Sequence, residues 1–142
     1  MKEDGNISVK ADMNIKQYAA LFSALADETR LRLLALMRRE EVCVCFLQEA
    51  LEVSQPKISR HLAHLRAGGL AATRREGKWI HYRLARLGKE QSAVLSAALD
   101  QIAKTPMARE DAKRLREAQR RSRNGEPQSN TISCCEAEER HA

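Results

Sequence analysis

Two pairs of cysteines are the residues whose chemistry is easiest to name. Cys43 and Cys45 are separated by a single valine, and Cys134 and Cys135 are adjacent. Paired thiolates ligate soft, thiophilic ions such as trivalent arsenic and antimony, and they also exchange electrons, so a metalloid site and a redox centre both follow from these four side chains. Buried in a core, Cys43 and Cys45 would instead serve as small hydrophobes, and the tail pair could be incidental. The chain has no C-x-x-C ahead of a helix, no glycine loop to cradle phosphate and no Ser-His-Asp set. That speaks against an enzyme, a thiol redox enzyme included.

The second concentration of chemistry is positive charge. From Ser54 to Arg86 the sequence holds eight bases (Lys57, Arg60, Arg66, Arg74, Arg75, Lys78, Arg83 and Arg86) and one acid, Glu76, a local excess of +7 in a chain whose total is +6. Such an excess asks for a polyanion, nucleic acid before a membrane surface. Ile58, Leu62 and Leu65 fall on one side of a helix, which turns Ser54, Gln55, Lys57, Ser59, Arg60, His61 and His64 toward its remaining circumference. These are the types that base edges and phosphates take: Gln for adenine, Arg and Lys for guanine or phosphate, Ser and His as shorter donors. His61 and His64 also have helical zinc spacing, but their basic surroundings favour DNA. Around Gly77 stand Arg74, Arg75 and Lys78, placed to touch phosphates from a hairpin tip. Trp79 and Tyr82 read as packing residues that anchor that ribbon.

The elements that must position these groups are mostly helical. Apolar residues Ile15, Tyr18, Ala19, Phe22 and Leu25 repeat at helical spacing behind a possible cap, Asn14, and a second cap, Asp27, opens a leucine-rich helix that ends at Arg38 and Arg39. Val42 to Leu51 is expected as a third helix, and Glu52-Val53 as a turn. Ser54, as cap, and Pro56, in the first turn, start a fourth helix that stops at Gly68-Gly69. Ala71–Glu76 and Lys78–Leu84 then read as a hairpin, and a fifth helix from Lys89 to Lys104 ends at Thr105-Pro106. A helix, a turn, a basic helix and a basic ribbon compose a winged helix-turn-helix, mainly α with a small β-hairpin.

The chain has 142 residues, 43% of them hydrophobic and 4% aromatic, enough for one aliphatic core. The expected division is a flexible N-terminus over 1–13, a winged-helix domain over 14–105, and a basic, then acidic, largely flexible tail over 106–142. Residues 107–123 suit a solvated helix or a disordered basic segment equally well. No apolar run reaches the roughly 18 residues of a membrane span, and the first 13 residues have no signal-like apolar core, so a cytoplasmic protein is expected.

The run Glu41-Val42-Cys43-Val44-Cys45-Phe46-Leu47, with Ser54-Gln55-Pro56-Lys57-Ile58-Ser59-Arg60-His61-Leu62 and Gly77-Lys78-Trp79-Ile80-His81-Tyr82-Arg83-Leu84, resembles the arsenic-responsive branch of the ArsR/SmtB repressors over about residues 14 to 105. The resemblance implies a homodimer that pairs through its first and fifth helices, binds palindromic operator DNA, and leaves it when a trivalent arsenical or antimonial binds cysteines. It implies no organic cofactor. In that family a third cysteine follows the second by three residues and an acid is usual between them. Here those positions are Gln48 and Phe46. Cys134 and Cys135 are the candidates to complete the site or to form one of their own, and a vicinal pair suits an organoarsenical that needs only two thiolates. The zinc ligands of related sensors lie on the fifth helix as Asp and His, whereas this one has Asp100 and no His. A thiol redox sensor on the same DNA-binding scaffold stands as the other reading.

Overall fold

The computed structural model describes residues 13–125. Residues 1–12 and 126–142, with Cys134 and Cys135 among the latter, lie outside the described residues. Helix α1 (Ile15–Leu25) starts in a reciprocal capping box: Asn14 Oδ1 accepts from the Gln17 amide at 2.9 Å, and Gln17 Oε1 accepts from the Asn14 amide at 2.8 Å. Helix α2 (Glu28–Met37) is capped by Asp27, whose Oδ1 accepts from the Arg30 amide at 3.0 Å. Both caps stand where the sequence placed them.

The third element differs from the expected helix. Val42–Cys43 form a short strand, β1, and helix α3 begins only at Val44 and runs to Leu51. Cys43 sits at the N-cap position with extended backbone. Helix α4 (Gln55–Ala67) follows Glu52-Val53-Ser54, with Glu52 in the left-handed region at φ 58°. Ser54 is at the N-cap but its hydroxyl makes no capping hydrogen bond, so the expected serine cap exists only in the backbone. Gly69 (φ +79°) closes α4, and Leu70 N–H reaches back to Leu65 O at 2.9 Å.

Strands β2 (Ala71–Glu76) and β3 (Trp79–Leu84) pair antiparallel across the two-residue turn Gly77-Lys78, where φ +63° at Gly77 favours a residue without Cβ. The sheet is three-stranded in the order β1-β3-β2, because Val42 and Cys43 pair with Tyr82 and His81. A third strand therefore joins the hairpin to the thiol segment. Tyr82 is buried as expected, whereas Trp79, beside the turn of the hairpin, is 46% exposed and anchors little.

Helix α5 (Lys89–Ile102) turns Leu95 and Leu99 into a core shared with Leu33, Leu34, Leu47, Ile58, Leu62 and Leu65. The ordered fold does not stop there. Helix α6 (Pro106–Arg123) follows after a three-residue break; Thr105 Oγ1 accepts from the Ala108 amide, and Pro106 occupies the first turn, where its missing N–H is harmless. Proline opens a helix here instead of ending the domain. Helix α6 packs along α3 and α2, burying Ala108, Asp111, Leu115 and Ala118, so residues 106–123 are part of the packed body and not of a flexible tail.

Candidate nucleic-acid interface and thiol pair

Ile58, Leu62 and Leu65 are buried without residual exposure and hold α4 against α2, α3 and the sheet. The opposite side presents Lys57, Arg60, His64 and Arg66 to solvent, with Ser54 exposed at its start. Gln55 Nε2 donates to Ser59 Oγ at 2.7 Å, so these two half-buried residues form one polar unit along the first turn. Among the sequence-predicted reading residues, Lys57, Arg60 and His64 share the open face.

His61 does not. Its ring is half-buried beside the α1–α2 junction, with Nδ1 3.3 Å from an Arg30 guanidinium nitrogen and 3.8 Å from Asp27 Oδ1. Burial lowers its pKa below the usual imidazole value, and the Asp27 charge opposes that without reversing it, while Arg30, Lys57 and Arg60 reinforce it. The neutral ring accepts from Arg30. Asp27 is the counterpart: burial disfavours its charge, but the Arg30 amide, His61 and the Arg30 guanidinium together hold its carboxyl below the ordinary range. His61 is therefore a joint between α4 and the preceding helices, and its expected DNA contact is not supported by where its ring lies.

On the wing, Arg75 and Lys78 are exposed beside the Gly77 turn. Arg74 is engaged elsewhere: Nε donates to Glu41 Oε1 at 2.9 Å, Nη2 lies 2.8 Å from the same oxygen, and Nη1 lies 3.4 Å from Glu76 Oε1. The Arg74 hydrogen bond holds the Glu41 carboxyl below its ordinary pKa. Glu41, which also lies 3.7 Å from Arg83, trims the positive field of the wing. Neither Glu41 nor the Asp27–Arg30 pair carried a sequence signal as part of this face, because each acts across the fold.

Cys43 and Cys45 are thiols, each 5% exposed, on either side of the β1–α3 junction. One lies in a strand and the other in the first turn of a helix, so the two are not both helical as the sequence suggested. Among the described residues no group of three or more His, Cys, Asp or Glu side chains is placed to hold a metal ion. No helix of the described residues is long and apolar enough to cross a membrane.

Residues 27–73, from the α2 cap to the start of β2, match the family described as "Bacterial regulatory protein, arsR family". The chain belongs to the ArsR family. It is 58% identical over 65 residues to the arsenic resistance transcriptional regulator ArsR1 of Pseudomonas putida, covering 45% of this chain and 51% of that protein. It is 60% identical over 65 residues to the arsenical resistance operon repressor of Escherichia coli, covering 45% of this chain and 56% of that one. The chain thus spans about half the length of these curated relatives. The homodimeric winged helix-turn-helix DNA-binding domain of a possible ArsR-family regulator from Mycobacterium bovis superposes with TM-score 0.54 at 25% identity, over 75% of this chain and 92% of that one. The matched family is described as one of regulatory proteins, and these two relatives are named as a transcriptional regulator and an operon repressor, neither as an enzyme.

Proposed function

We propose that this ArsR-family chain represses a metalloid-resistance operon as a homodimer and is released from operator DNA when trivalent arsenic or antimony binds Cys43 and Cys45. The observation that carries the reading is the position of the thiols: both are buried at the junction that leads into α3, the helix against which α4 is set. Each thiol that displaces a hydroxyl of an arsenous acid forms an S–As bond and releases one water. A metalloid reaching both must open the packed junction, so its affinity is greater for an arrangement in which α3 has shifted. That difference is what displaces the DNA-binding population. Two thiolates satisfy an organoarsenical, whereas inorganic arsenite keeps a third valence for water, an added thiol or another cysteine such as Cys134 or Cys135.

Pairing of two copies is supported by α1, where Ile15 is 81% and Phe22 54% exposed on one stripe of the helix. Lys57, Arg60, His64, Arg75 and Lys78 are the proposed DNA contacts, with Gln55, Ser59 and Ser54 at the leading end of α4. A cytoplasmic location and the absence of an organic cofactor go with this reading. The test is fluorescence anisotropy of the reduced chain on duplexes it selects from a random pool, titrated with arsenite and separately with peroxide. Dissociation by arsenite alone supports the proposal; dissociation by peroxide alone identifies a redox sensor, and failure to select any duplex removes the operator.

A further inference from the structure

Helix α6 sorts its cations onto two faces. Arg114 and Arg121 point into the protein, where Arg114 pairs with Asp111, Glu110 and Glu52 and Arg121 pairs with Glu49. Arg109, Lys113, Arg116, Arg120 and Arg123 recur at alternating steps of four and three residues, which draws one line along the helix, and all five are exposed. The buried positions Ala108, Asp111, Leu115 and Ala118 lie on the opposite side. None of the five makes an ion pair or hydrogen bond among the described residues, in contrast to the arginines facing inward. At a rise of about 1.5 Å per residue the line is about 21 Å long.

A row of cations that meets no acid among the described residues is costly to hold together unless something anionic meets it, since like charges one turn apart repel. Disorder would relieve the repulsion, but α6 is not at liberty to melt. Its inner face is fastened to α2 by the buried Asp111 carboxylate, which accepts from Arg32, and to α3 by Arg114, which donates to Ala50 O. The row is therefore presented at a fixed position relative to α4. Helix α6 also faces the turn that leads into α4: a cleft of about 710 Å3 is walled by Gln48, Glu52 and Ser54, from the end of α3 and that turn, on one side and by Arg114 and Arg121 on the other.

We propose that the outer row of α6 is a second phosphate-binding surface that engages duplex DNA beyond the segment read by α4 and the wing. This rests on the DNA-binding reading above and extends it from a sequence-reading site to a wider, sequence-independent footprint. Guanidinium and ammonium groups along a straight rod match a duplex backbone in charge sign and shape, and they carry no base-reading geometry. The row adds affinity and salt dependence without adding specificity.

The test compares the full chain with a variant in which Arg109, Arg116 and Arg120 are all Gln, on two duplexes. One is trimmed to the edges of the site the wild type selects; the other adds about 10 base pairs, one helical turn, on each side. The wild type is expected to bind the longer duplex about tenfold more tightly, and the variant to lose that advantage, with the slope of log affinity against log salt falling by about one for each phosphate contact removed. Affinity for the trimmed duplex should stay the same. A variant carrying Lys at the three positions should keep the advantage, and unchanged circular dichroism and denaturation midpoints show that the fold is intact. The proposal is overturned if the wild type gains nothing from the flanks, if the Gln variant keeps the gain, or if wild type and variant differ only on anionic vesicles or RNA. A wild type that selects no duplex at all defeats the DNA-binding reading itself, which is a separate outcome.

Discussion

Arg32 and Asp111 meet in a two-point pair, Nε to Oδ2 and Nη2 to Oδ1, both at 2.8 Å, with the carboxylate 1% exposed. The Asp111 hydrogen bond, and its charge, raise the Arg32 pKa against the effect of burial. The same Arg32 donates to Leu51 O at 3.1 Å, and Arg114, which shares Asp111, donates to Ala50 O at 2.6 Å. Those carbonyls belong to the last turn of α3 and have no partner within the helix. Two guanidiniums held by one buried carboxylate thus cap the helix that enters the Glu52-Val53-Ser54 turn.

Replacing Arg32 with Leu leaves Asp111 buried with only Arg114 and exposes the Leu51 carbonyl to no donor. Removing one partner of a buried pair costs about 3–5 kcal/mol when the charge is left uncompensated, and the cost here falls below that range because Arg114 still pairs with Asp111. The expected result is a large drop in the urea midpoint together with faster amide exchange at Glu52 to Ser54. A midpoint within error of wild type would show that the clamp contributes nothing to stability.

Glu41 restrains the wing through Arg74, so Glu41→Gln should release that guanidinium toward phosphate. Binding to all duplexes, specific and scrambled, should strengthen alike, and the salt slope should steepen by about one. Improved discrimination between sequences, instead of a uniform gain, would contradict the assignment of Arg74 to phosphate.

The burial of His61 sets a pH dependence. Its folded pKa lies below the ordinary value of 6.5, so as pH falls through that value the unfolded chain takes up the proton first. Stability is complete above 6.5 and declines on acidification until the folded ring also protonates. His61→Gln, which keeps a group able to accept from Arg30, should flatten the denaturation midpoint between pH 7.5 and pH 5.5 relative to wild type. An equally steep profile in the variant would assign the dependence to other groups.

Local signals in the sequence located the caps Asn14 and Asp27, the Pro56 start of α4, the Gly77 turn and the apolar side formed by Ile58, Leu62 and Leu65. Each of these is decided within a few residues of itself. What was not legible depends on partners far along the chain. Val42 and Cys43 become a strand because β3 supplies their hydrogen-bonding edge, and α6 is held by an aspartate whose arginine lies 79 residues earlier. His61 lies just beyond the apolar stripe of α4, so the helical wheel alone turned it toward DNA. Only the approach of Arg30 and Asp27 turns it inward.

The decisive prediction concerns the thiols. If the β1–α3 junction is the sensor, Cys43→Ser and Cys45→Ser should each bind operator DNA as tightly as wild type yet remain bound when arsenite is added, because one thiolate cannot pull the strand and the helix into a new relation. Serine is close in size to cysteine, so each buried site is changed little in volume and the folded chain should persist. Removing residues 124–142 eliminates Cys134 and Cys135 while leaving α6 in place, and should weaken the arsenite response without ending it. A trivalent organoarsenical, which is satisfied by two thiolates, should then release the truncated chain more fully than inorganic arsenite does. Should Cys43→Ser dissociate normally and the truncation fail to dissociate, the vicinal pair is the sensor. In that case its coupling to α4 requires docking of the tail on the dimer, since a metalloid bound where nothing packed must move has no differential affinity to spend.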